Sequence, residues 1–223
     1  MLDHKQYVQD AIRTESRVEY VAVNHGIFAG AISATVAASE TLDVLKKTMF
    51  YGKELDGSVL LSHALDLQVA ASTIIVSLRK GMPPDALPVD PRVLHAVIGK
   101  CTEAGELLAA VDNSMGSEEG LDIVNVKEEL GDDMWYGAIL CDALGLDLEE
   151  ICNINIAKLR SRYPDKFTQE AAVNRDLEAE RKALEGIQSE PELIEPVQLN
   201  DVVPGSIRLN DVPLDEVRVQ GAE

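Results

Sequence analysis

Aromatic side chains make up only 4% of the 223 residues, against 46% hydrophobic residues in all. Strands favour β-branched and aromatic side chains, so this shortage excludes an all-β fold and points to helices. Basic residues are also scarce: 20 Lys and Arg stand against 39 Asp and Glu, a formal net charge of −19. Such a charge opposes any broad electrostatic grip on phosphodiester backbones or anionic lipid, so neither nucleic acid nor membrane is expected as a partner. The three cysteines, Cys101, Cys141 and Cys152, include no CxxC pair and have no histidine at ligand spacing. They read as reduced core thiols. The opening residues, MLDHKQ, lack a basic segment followed by an apolar one, so no secretory signal is expected and the expected compartment is the cytoplasm. Residues 20–39 carry no Asp, Glu, Lys or Arg. Asn24-His25-Gly26 interrupts that stretch, which reads as a break followed by a buried helix rather than a span.

Proline is absent from residues 1–82 and again from 92–163. Because proline costs about 3 kcal/mol inside a helix, these gaps outline two helical blocks, 1–80 and 92–186. Between them GMPPDALPVDP, residues 81–91, reads as a stiff linker. Residues 187–223 are rich in acids and prolines, with LNDV at both 199–202 and 209–212, and are expected to form a flexible tail. An offset of 66 residues aligns the two blocks without gaps from Phe28/Leu94 to Leu78/Leu144, with nine of 51 pairs identical. The expectation is an all-α helical bundle built by tandem duplication.

The second block carries the chemistry. Its first helix, over about 92–111, has Leu94, Val97, Ile98, Cys101, Ala104 and Leu108 as a core stripe. The opposite face carries Ala96, Gly99, Glu103, Glu106 and Ala110, two acids framed by small residues that let a helix or ligand come close. The next helix is expected to start at Asn125 as N-cap, with Glu128 completing a capping box. Glu129 and Asp132 then share a face above Tyr136 by their i,i+3 spacing. Four carboxylates would thus meet on two facing helices. Such a group persists only if protonated or bridged by a cation, and oxygen-only ligands suit Mg²⁺ or Mn²⁺. A further helix over about 148–162, capped by Asp147, sets Asn155, Lys158 and Arg162 on one face. Trp135 reads as core packing.

At these residues the sequence resembles the MazG-like all-α nucleoside triphosphate pyrophosphohydrolases. Glu103-Ala-Gly-Glu106 and Glu129-Leu-Gly-Asp132 match the family's ExxE and ExxD motifs, within the runs TEAGELL, VNVKEELGDDMWYGAILCDALGLDLEEI, NIAKLRSRYPDKF and NRDLEAERKALEG. The resemblance covers roughly residues 93–186. It implies cleavage of a (d)NTP to the monophosphate and diphosphate, with Mg²⁺ held by Glu103, Glu106, Glu129 and Asp132. It also implies triphosphate contacts from Asn155, Lys158 and Arg162, a Tyr136 that reaches the base, and a homo-oligomer, expected to be a dimer. Three alternatives stay open: a dUTPase-like enzyme, a phosphoribosyl-ATP pyrophosphohydrolase-like enzyme, and a non-catalytic nucleotide- or protein-binding helical module. In the first block the same offset puts Ala37, Glu40, His63 and Asp66 at the four ligand positions. Neutral histidine is a poor ligand for a hard cation, so this block reads as a degenerate repeat. The segments YVQDAIRTES, residues 7–16, and FYGKELD, residues 50–56, also look like pieces of family members.

Overall fold

A computed structural model describes residues 3–185. The described chain is almost entirely helical: α1 (His4–Ala11) with a 3-10 turn at Ile12–Thr14, α2 (His25–Tyr51), α3 (Gly57–Lys80), α4 (Pro91–Met115), α5 (Ile123–Leu144), α6 (Leu148–Arg162), α7 (Gln169–Val173) and α8 (Leu177–Glu185). Two two-residue strands, β1 (Ala22–Val23) and β2 (Asp85–Ala86), pair with each other. The expected flexible tail lies outside the described residues.

Side-chain caps decide where the long helices begin. Asn24, Asp56, Asp90 and Asp147 each accept backbone N–H groups of the turn that follows, which satisfies donors a helix start otherwise leaves orphaned. Pro91 occupies the first turn of α4, where its missing N–H costs nothing. The start of α5 differs from the sequence expectation. Asp122, not Asn125, is the cap, accepting from Val124 N at 2.9 Å and Asn125 N at 3.2 Å, so Asn125 already lies inside the first turn.

The chain divides into two compact units. The acidic unit contains, among described residues, 3–22, 86–166 and 176–185; the apolar unit contains 23–85 and 167–175. This division departs from the blocks drawn on proline spacing, because residues 3–22 cluster with α4–α6 rather than with α2 and α3. The reason is a set of specific anchors. Arg92 binds Glu15 through two nitrogens at 2.7 Å each and Asp142 at 2.6 Å, joining the segment after the 3-10 turn to the start of α4 and the end of α5. The Glu15 side chain is fully buried, and the Arg92 guanidinium holds its carboxyl below the usual carboxylate range.

Within the acidic unit, α4 and α5 form a helical hairpin, and its packing overturns the expected core stripe. The buried residues of α4 are Ala96, Gly99 and Glu103, whereas Val97, Ile98 and Leu108 are 43–51% exposed. Small residues won the interface because they allow close approach: a Cβ at Gly99 would sit 2.2 Å from the Tyr136 ring. The larger side chains therefore face outward. Cysteine placement also departs from expectation, since only Cys141 is buried and Cys101 and Cys152 are exposed free thiols.

In the apolar unit α2 and α3 make a second hairpin, with α7 against α2. A Cβ at Gly30 would fall 2.6 Å from Ile74 Cγ1, the same small-residue close approach. The expected break is present as the Asn24 cap, but the helix that follows buries only Gly30 and Ala37. Its outward residues include Ile32, Val36 and Leu42, so it is not the buried helix its composition suggested. By length and composition, α2 and α3 are both long and apolar enough to cross a membrane. Such helices also serve as packing elements of soluble proteins.

Candidate active site

The acidic site is built by the facing sides of α4 and α5. Glu103 and Glu106 stand one turn apart on α4, and Glu129 comes from the second turn of α5. One carboxylate oxygen from each lies within 4.8 Å of the other two. Glu103 and Glu129 are buried, whereas Glu106 is exposed and opens the cluster to solvent. Thr102 Oγ1 lies 3.2 Å from Glu103 Oε1 and 2.8 Å from Gly99 O, which fixes the neighbouring backbone turn beside the carboxylate.

Three acids at such range cannot all be ionised without compensation. Burial, the charge of Glu106 and a hydrogen bond with Glu103 push the pKa of Glu129 up to about 7. Glu129 therefore keeps its proton to higher pH than an ordinary glutamate. The donor set, three carboxylate oxygens within 4.8 Å of one another, is of the kind a hard divalent ion takes.

Asp132, the fourth expected ligand, is not part of the three-oxygen group. It lines an open cavity of about 380 Å³ with Thr14, Glu103, Trp135 and Tyr136. Its charge also helps raise the pKa of Tyr7, after burial, and of Tyr136, after burial and Glu103. Its neighbour Asp133 is separate, engaged by Lys100 Nζ at 2.6 Å. The Tyr136 ring is held against Gly99 and edge-on to both His95, at 5.4 Å, and Trp135, at 4.8 Å between centroids.

The three α6 residues are not brought to this cavity; none of them lines it. Asn155 is exposed and Lys158 is half-buried. Arg162 binds the buried Glu180 of α8 through Nε at 2.7 Å and a terminal nitrogen at 2.5 Å, and it lies over the Tyr163 ring.

Two contributors escaped the sequence reading. Trp135 is half-buried and lines the cavity rather than a core, and Thr14 reaches the cavity from the N-terminal segment. Residues 7–16, which resemble family sequences, carry Thr14 and belong to the acidic unit rather than to the first block.

Residues 96–167 match the family model of the MazG nucleotide pyrophosphohydrolase domain. Comparison with curated proteins and with solved structures gives no match. The MazG match contains all four candidate carboxylates and the three α6 residues. Together with the all-α fold it supports a MazG-superfamily assignment for this part of the chain. The acidic cluster within it supports a function in the pyrophosphohydrolase superfamily.

Proposed function

We propose that the α4–α5 site is that of a Mg²⁺-dependent nucleoside triphosphate pyrophosphohydrolase, converting a (d)NTP and water to the (d)NMP and diphosphate, with Mn²⁺ as a substitute ion. The observation that carries this reading is the convergence of Glu103, Glu106 and Glu129 within 4.8 Å inside the matched segment. In this reading those three residues and Asp132 would hold the metal, which would supply charge neutralisation for the triphosphate and a lowered pKa for water. The water oxygen bonds to the α-phosphorus as the bond to the bridging α,β oxygen breaks, and diphosphate leaves with that oxygen. One carboxylate of the set takes the water proton. Asn155 and Lys158 supply phosphate contacts, and Arg162 joins them on exchanging Glu180 for a phosphate.

The same reading includes a cytoplasmic enzyme and a dimer. The outward aliphatic side chains Val97, Ile98 and Leu108 supply a surface of the kind that oligomers bury. The α2–α3 hairpin is proposed as a degenerate copy. Its helices start at His25 and Gly57, each 66 residues before Pro91 and Ile123, the starts of α4 and α5.

The test is diphosphate release from a panel of NTPs and dNTPs with Mg²⁺, with Glu129→Gln run in parallel. The reading expects diphosphate and monophosphate from the parent and at least a ~100-fold loss in the variant, since even supporting residues of metal sites are worth 10–100-fold. Equal release from both proteins, or none from the parent, overturns it. A preference for dUTP or phosphoribosyl-ATP would move the assignment to one of those branches.

A further inference from the structure

Between Trp135 and the N-terminal segment there is a junction that the carboxylate chemistry does not require. Trp135 Nε1 donates to both Ala11 O and Thr14 Oγ1, each at 3.0 Å, across more than 120 residues of sequence. These bonds fasten the end of α1 and its 3-10 turn to α5 at the point where α5 borders the cavity. The fastening has chemical consequences for Thr14. Its hydroxyl donates to Ala11 O at 3.0 Å and accepts from the indole, so its proton is committed and one lone pair remains. Thr14 is exposed and lines the cavity, which therefore presents an oriented acceptor on the wall shared with Trp135 and Tyr136. Aromatic edges with a single acceptor suit a nucleoside, which offers a flat base and O–H or N–H donors. They do not suit a triphosphate, which offers only acceptors.

We infer that the segment formed by α1 and its 3-10 turn is the nucleoside-facing wall of the site, with Thr14 as a ligand acceptor and Trp135 as the positioning residue that latches the wall to α5. The inference rests on the proposed nucleotide reading and adds to it a division of labour: the glutamates handle phosphate, and the N-terminal wall handles the nucleoside.

The test compares two probes by calorimetry in Mg²⁺: a non-hydrolysable α,β-methylene dNTP and inorganic tripolyphosphate. Thr14→Val and Trp135→Phe are each expected to weaken the nucleotide analogue about three- to tenfold, the scale of one lost hydrogen bond, and to leave tripolyphosphate within about twofold. A purely structural role would weaken both probes alike, and that result would overturn the wall, as would unchanged nucleotide affinity in Thr14→Val. A dideoxy analogue indifferent to Thr14→Val would assign the bonded group to the sugar, and one still sensitive would assign it to the base; either supports the wall. If the parent binds both probes yet releases no diphosphate, only the hydrolytic reading falls. If it binds neither, both readings fall.

Discussion

The α2–α3 and α4–α5 hairpins share their helix starts at a constant 66-residue offset, but they differ at the positions where their helices touch. Buried Glu103 in α4 corresponds to buried Ala37 in α2, at 8% and 3% exposure. Glu129 corresponds to His63, whose Nε2 lies 3.7 Å from Glu40 Oε2 and whose buried Nδ1 has no hydrogen-bond partner among the described residues. One hairpin therefore places two carboxylates where the other has a methyl group and an imidazole. Burying an unpaired carboxylate is costly, so alanine is the cheaper solution for a helix contact. Buried acids at the corresponding contact of the other hairpin need compensation, which a proton or a divalent cation can supply.

Metal binding should separate the two hairpins most clearly. Mg²⁺ at 100 times its dissociation constant stabilises a folded site by about 2.7 kcal/mol through linkage. Thermal melts should show an upward shift with Mg²⁺ in the parent and almost none in Glu106→Gln. Titration should find no tight set of sites in the α2–α3 hairpin, and a second equivalent set there would refute the degenerate copy. The metal-free protein carries its own pH dependence. The pKa of Glu129 is raised to about 7 in the fold, so the native state binds the extra proton, and its stabilising contribution is full below the ordinary glutamate range. Stability should fall as pH rises from about 4.5 through 7, and Mg²⁺ should remove most of that slope by replacing the proton. A Tm that is flat across this window without metal would contradict the raised pKa of Glu129.

A second, smaller break targets packing. Gly99→Ala would put a methyl group 2.2 Å from the Tyr136 ring, so the hairpin must separate or the ring must leave His95 and Trp135. Overpacking of this kind costs about 1–3 kcal/mol, more than the helix-propensity gain of alanine returns. Chemical denaturation should report that loss, and displacement of Tyr136 should weaken nucleotide affinity with it.

Much of this was legible in the sequence, and the exceptions share a cause. Proline spacing outlined the helical blocks and the Asp147 cap placed the start of α6, because these signals act locally, whereas α5 is capped by Asp122 and not by Asn125. The ExxE and ExxD spacing put Glu103, Glu106 and Glu129 on touching faces, because helical periodicity fixes direction locally. The outward placement of the aliphatic stripe of α4 was not legible. Large aliphatic residues ordinarily mark a core, but here Gly99 and Ala96 sit at the contact because α5 supplies the volume through Tyr136. Likewise Thr14 and Trp135 meet only through a hydrogen bond spanning 121 residues, which no local pattern encodes. The Arg162–Glu180 pair belongs to the same class: each residue looks like an ordinary charged helix position until α8 is placed on α6.

The smallest expected effect sharpens the contrast between contact and solvent faces within α4 itself. Gly105 lies between the two glutamates in sequence, yet a Cβ there meets nothing within 4 Å, and the α2 equivalent is Ser39. If small residues in α4 were there solely for ligand approach, Gly105→Ala would harm nucleotide affinity. If only the contact face needs them, the substitution should stabilise the helix by up to about 1 kcal/mol and leave metal binding unchanged, because alanine loses less backbone entropy on folding. Paired denaturation curves for Gly99→Ala and Gly105→Ala should therefore move in opposite directions. Movement in the same direction would mean that the outward face of α4, with Val97, Ile98 and Leu108 nearby in the same helix, is also closely packed in solution, as a dimer contact would make it.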